Sequence, residues 1–129
     1  MTGADSPQRG LVATGCLLAG LGVAAGAFGA HSLEGRLSAE ALATFDTAAR
    51  YHMWHALGLI LLGLASGRWP DAAWRRPGLL MVGGIAVFSG TLYALALSGI
   101  GWLGAITPLG GAALIAAWIW AARIAITRT

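Results

Sequence analysis

The sequence predicts an all-α fold: a four-helix transmembrane bundle with an amphipathic surface helix between the first and second spans. Three observations carry this reading. Residues 10–31 read GLVATGCLLAGLGVAAGAFGAH, with no charged side chain between Arg9 and His31. At about 1.5 Å of helical rise each, such a stretch covers the roughly 30 Å hydrocarbon core of a bilayer. Hydrophobic residues make up 57% of the chain and charged residues only 10%, where a soluble domain carries about 25% charge. Finally, three more apolar segments follow, at about 51–66, 78–97 and 102–122.

A chain of 129 residues suffices for one small bundle. The expected organisation is a polar, disordered N-terminal tail at 1–9, a single membrane domain at 10–123 and a C-terminal tail at 124–129. The first apolar stretch is too long for the roughly 7–15-residue core of a signal peptide. Its removal would also leave an odd number of spans, so it is expected to stay as the first helix. On that helix Gly15, Ala19, Gly22, Gly26 and Gly29 recur at helical spacing and form one small-residue stripe. Ala13, Gly20, Ala24 and Ala27 form a second. Small residues let membrane helices approach closely. Two such faces predict that the first helix is central, with neighbours on two sides.

Residues 32–50 form the only long polar connection. Ser38 suits an N-cap with Glu40 in the first turn. Leu42, Phe45 and Ala49 then recur at helical spacing, with Asp46 and Arg50 placed as an i,i+4 pair. This pattern predicts a helix at the membrane surface. No Gly or Pro separates it from the second span, where Tyr51 and Trp54 suit an interfacial belt. A charged turn at 67–77 leads to the third span, and Ser98-Gly99-Ile100-Gly101 makes a tight hairpin into the fourth. Arg9, Arg68, Arg75, Arg76, Arg123 and Arg128 all fall on the side of the termini, which places both termini in the cytoplasm.

The arginines sit in flanks and loops, with no basic stripe interleaved with aromatics, so nucleic acid is not an expected partner. The single cysteine, Cys16, excludes an intramolecular disulfide and a cysteine-based metal cluster. No acidic residue lies within a span, which argues against an intramembrane carboxylate relay. The glycine-rich runs lie inside apolar helices and are not phosphate cradles. No cofactor is expected.

The polar residues that remain gather toward one end. His31 closes the first helix, and His52 and His55 open the second on one face. On the third helix Ser89 and Tyr93 share a face. On the fourth, Pro108 leaves the Gly104 carbonyl without its helical donor, beside Thr107. A cluster of His31, His55, Ser89, Tyr93 and Thr107 is therefore expected inside the bundle, as interhelical hydrogen bonding or as a small ligand pocket. A metal site on His31, His52 and His55 is the weaker alternative, because metal sites ask for three or four ligands at defined spacing.

Several strings together resemble a known family. They are Gly26-Ala27-Phe28-Gly29-Ala30-His31, then Tyr51 with His55-Ala56-Leu57, then the run FSGTLYALALS at 88–98, then Thr107-Pro108-Leu109-Gly110-Gly111. In this order and spacing they look like the domain-of-unknown-function 423 family, grouped with transmembrane protein 256. The resemblance spans about residues 10–123. It implies a four-span integral protein of the bacterial inner membrane and supplies no reaction. The family pattern includes His31, His55, Tyr93, Thr107 and Pro108; His52 stands where the family has Gln, and the tail before Arg9 is longer than usual. The function expected from all of this is a non-enzymatic membrane component, either accessory to a membrane-protein partner or binding lipid or a small apolar ligand. It is expected to contact membrane lipids and to form a homo-oligomer or pair with another membrane protein. The alternative is a small transporter or channel subunit that uses His31 and His55 for protons or a metal.

Overall fold

The computed structural model describes residues 5–70 and 73–127. It contains four long helices: α1 (Asp5–Phe28), α2 (Ala39–Arg68), α3 (Arg75–Ser98) and α4 (Leu103–Thr127), joined into one all-α bundle. A single π-helical turn, Gly29–Leu33, extends α1. α1 with this turn, α3 and α4 are each long and apolar enough to cross a membrane. α2 is less apolar, because Glu40, Asp46, Arg50, His52 and His55 all lie within it. Its path is fixed by its neighbour. Gly67 and Gly63 of α2 abut Gln8 and Val12 at the start of α1, and Phe45 abuts Gly29 at its end. α2 thus runs beside α1 over the whole length of that span.

The helix ends are set locally. Ser38 caps α2, its hydroxyl accepting from the Ala41 N–H at 3.1 Å. Gly99 closes α3 in the left-handed region at φ 71°, with its N–H bonded to the Leu95 carbonyl at 2.8 Å. Pro77 is tolerated because it lies in the first turn of α3, where amide donors have no helical partner.

Three expectations are corrected. The tail does not run to Arg9: α1 is already helical from Asp5, where Pro7 suits a first turn; residues 1–4 lie outside the described residues. At the other end α4 continues to Thr127, with Ile124 packed on the core and the Thr127 hydroxyl donating to the Arg123 carbonyl. Residues 39–50, the expected amphipathic helix, run without a break into the rest of α2 as its first three turns, as the lack of Gly or Pro there allows, and their apolar face meets α1 and α3. Last, α1 is not central. It packs on α2 and only slightly on α3, while α2 packs on both α1 and α3, and α3 on α2 and α4. α2 and α3 are thus the inner pair, with α1 and α4 on the flanks; α2 holds ten buried residues, α3 seven and α4 five.

The α1 stripe divides accordingly. A Cβ on Gly15 would stand 2.8 Å from the Ala56 carbonyl, and one on Gly29 2.8 Å from the Phe45 ring. Gly22 faces Met53, and Ala19 is half-buried. Gly26 lies off this contact, with no atom within 4 Å of its Cβ position. The second stripe, Ala13, Gly20, Ala24 and Ala27, is exposed throughout. One core draws on all four helices, through Leu11, Leu59, Leu62, Trp74, Met81, Ile85, Leu114, Ala117 and Ala121. Leu17, Leu21, Leu61, Leu64, Ile115 and Ile119 point outward as the surface that meets lipid.

Candidate functional site

The polar residues singled out from the sequence do not form one cluster. They make separate links, most of them on the faces of α2 and α3. Ser89 and Tyr93, one turn apart on α3, both meet α2. The buried Ser89 hydroxyl donates to the Ala48 carbonyl at 2.8 Å. The Tyr93 hydroxyl lies 2.9 Å from His52 Nδ1. Tyr93 also packs against Phe45, ring centroids 4.9 Å apart. The other ring nitrogen of His52, Nε2, is buried without a hydrogen bond. Either group can donate in the His52–Tyr93 bond, depending on which ring nitrogen carries the proton.

His55 is buried too, but it serves its own helix: Nδ1 lies 2.6 Å from the Tyr51 carbonyl. Its ring sits beside Trp118 of α4 at 6.1 Å. His31 is exposed, on the π-helical turn. Thr107 pairs with Thr91 across α3 and α4, hydroxyl to hydroxyl at 2.7 Å. Thr91 in turn donates to the Val87 carbonyl at 2.6 Å. Thr107 also reaches the Leu103 carbonyl at 3.3 Å, one residue from the Gly104 carbonyl freed by Pro108. Among the described residues no group of three or more His, Cys, Asp or Glu is placed to hold a metal ion. His31, His52 and His55 therefore do not converge.

Two partners escaped the sequence reading. Thr91 lies two residues from Tyr93 and so faces α4 rather than α2; its signal was only a second hydroxyl at the level of Thr107. His52, not His55, meets Tyr93, although both occupy the same face of α2.

A concave feature of this half of the molecule lies elsewhere, between the end of α1 and the first half of α2. A cleft of about 230 Å³ is lined by Gly26, Gly29, Ala30, Glu34, Leu42 and Phe45, with Asp46 and Ala49. A second, of about 280 Å³, adjoins it along Gly22, Met53, Trp54 and Arg50. The two share Gly26, Asp46 and Ala49 and so form one groove. Asp46 and Arg50 make the i,i+4 ion pair that their spacing predicts. Glycine and alanine keep one wall low, while leucine and phenylalanine supply an apolar floor. The carboxylates and the guanidinium stand at the mouth. Such a groove can hold an amphiphile, its chain against the apolar side chains and its polar group against the charged ones.

Comparison with known proteins agrees with the membrane reading. A family model described as "Protein of unknown function (DUF423)" matches residues 25–111. A UPF0382 membrane protein of Staphylococcus haemolyticus is 46% identical over 106 residues, covering 81% of this chain and 85% of the relative. The UPF0382 membrane protein YwdK of Bacillus subtilis is 45% identical over 106 residues, covering 81% and 86%. No solved structure matches significantly.

Proposed function

Given that this chain belongs to the DUF423 family of membrane proteins, we propose that it is a non-enzymatic inner-membrane component that binds a lipid or small apolar ligand in the α1–α2 groove. The observation that carries this is the groove itself. Its floor is apolar, its rim is charged, and Gly26 keeps it open at a point where helix packing asks nothing of that residue. In a bilayer the exposed flank of α1 is bathed in acyl chains, so membrane lipid is the ligand at highest local concentration.

The proposed orientation has both termini in the cytoplasm. Arg9, Arg68, Arg75, Arg76 and Arg123 stand at one end of the bundle, and the groove lies toward the other. A phosphatase reporter fused after Thr129 should be inactive, and activity in the outer compartment would reverse the assignment.

Photocrosslinking tests the binding reading directly. The full chain is reconstituted in vesicles containing a phospholipid with a diazirine on its acyl chain, irradiated and mapped by peptide mass spectrometry. Labelling concentrated at residues 26–30 and 42–54 is expected. Label spread over Ile115 and Ile119 of α4 as heavily as over the groove would refute it.

A further inference from the structure

The order of charges along the groove narrows the ligand to one class of lipid, an inference that rests on the lipid-binding reading above. We propose that the groove is a headgroup site for a phospholipid with a primary ammonium, of the ethanolamine type.

The groove is polar in a definite sequence. Its outer part carries two carboxylates, Glu34 and Asp46, with Leu42 and Phe45 between them in chain order. Its deeper part carries one cation, Arg50, followed by Met53 and Trp54 against Gly22. Arg50 stands four residues below Asp46 on α2, about 6 Å at helical rise. A zwitterionic phospholipid presents the matching order along the membrane normal. Its ammonium lies outermost, its phosphate one short carbon bridge deeper, and its acyl chains beneath. Carboxylates then meet the ammonium, the guanidinium fork meets the phosphate, and the chain enters along Met53 and Trp54.

The groups at the rim are free to do this. The Asp46–Arg50 pair leaves the Arg50 side chain 57% and the Asp46 side chain 64% exposed, so their mutual attraction is weak in a wet rim and yields readily to a ligand. Only Nη2 of Arg50 is engaged, and a guanidinium has five N–H donors. Glu34 makes no ion pair among the described residues.

Charge and donor count select the headgroup. Glu34, Asp46 and Arg50 sum to one net negative charge, which disfavours an anionic lipid. Two carboxylates ask for several N–H donors on one cation. A primary ammonium has three, while a trimethylammonium has none. Gly26 is where the groove can be closed without touching the bundle, because a side chain there meets no atom within 4 Å of its Cβ position.

The test is native mass spectrometry of the full chain in mild detergent. Dioleoyl phosphatidylethanolamine, phosphatidylcholine and phosphatidylglycerol are added singly at equal concentration. The ethanolamine lipid should be retained about tenfold more tightly than either of the others, the scale of one charge-assisted hydrogen bond. Glu34→Gln combined with Asp46→Asn should erase that preference while lipid is still retained. Gly26→Leu should abolish retention of all three, with the unfolding temperature unchanged. Should Gly26→Leu unfold early, Ala30→Leu at the exposed neighbouring wall takes its place. Equal retention of the three lipids by the wild type, or tighter retention of phosphatidylglycerol, overturns the headgroup assignment. If that lipid is still lost in Gly26→Leu, the lipid-binding reading stands. Retention untouched by either leucine variant overturns both.

Discussion

Gly110 and Gly111 are adjacent in α4 and chemically identical, yet the structure assigns them opposite tolerances. A Cβ on Gly110 would stand 2.3 Å from the Phe88 backbone nitrogen and 2.8 Å from its Cα. A Cβ on Gly111 would stand 3.5 Å from the Phe88 ring, an ordinary contact. A side chain can rotate away; the backbone of a membrane helix cannot. Restoring about 3.4 Å at Gly110 asks α3 and α4 to part by roughly 1 Å. A gap of about 0.5–1 Å forfeits a quarter to a half of each dispersion contact along the seam, including that of Leu114 against Gly84. Overpacking of this kind typically costs about 1–3 kcal/mol. Alanine's helix propensity offsets up to about 1 kcal/mol of it, but that gain is common to both sites and cancels in the comparison. Gly110→Ala should therefore be less stable than Gly111→Ala by about 2 kcal/mol. Equilibrium unfolding in mixed detergent and dodecyl sulfate micelles, followed by helical circular dichroism, reads the difference. Equal stability of the two variants, within about 0.5 kcal/mol, would show that the crossing of α3 and α4 is placed wrongly.

The polar links give smaller effects. Ser89→Ala should cost about 0.6 kcal/mol and no more than about 1.7, because the Ala48 carbonyl sits mid-helix; the same unfolding assay checks it, and a stabilising result would refute the link. Tyr93→Phe and His52→Leu should couple by about 0.5 kcal/mol or more in a double-mutant cycle, since each removes the same bond; strict additivity would mean that the two side chains do not meet. Gly15→Leu should destabilise by about 3 kcal/mol or more, as it strikes the Ala56 carbonyl. The companion change Gly20→Leu, on the exposed face, should leave unfolding unaltered, and equal damage from both would restore α1 to a central position.

Much of the fold was legible from the chain because lipid imposes long, uninterrupted helices. Length and charge located α1, α3 and α4, and Ser38 and Gly99 set helix ends through local chemistry. What the chain did not disclose was which helix lies inside. Small residues mark where a helix can be approached, not whether a neighbour comes. The Gly15, Gly22 and Gly29 face received α2, while the Ala13, Gly20, Ala24 and Ala27 face received nothing from within the chain. The polar contacts were legible at the level of membrane depth only. His52 and His55 lie three residues apart on α2, so only about 60° around the helix axis separates them, and packing sets which of the two meets Tyr93. The groove left only a faint trace, in the Asp46–Arg50 spacing and the glycine at position 26.

The inner place of α2 beside α3 follows from what the bilayer charges for polarity. In water an apolar helix is drawn to the core; in lipid the surroundings are as apolar as leucine, so hydrophobicity no longer sorts helices from inside to outside. Polarity does. A side chain such as His52 or Ser89 facing hydrocarbon would leave its hydrogen-bonding groups unmet, at a cost of several kcal/mol. The helix that carries most of these groups gains most from being surrounded by other helices. α2 is that helix: it bears His52 and His55 within its buried face and receives Ser89 and Tyr93 from α3. The most apolar helix of the four, α4, can afford the edge, where Ile115 and Ile119 meet lipid. The same logic locates the groove. The first turns of α2 are too polar for the hydrocarbon core, and α1 narrows to glycine and alanine beside them. Charged and apolar surfaces therefore adjoin there.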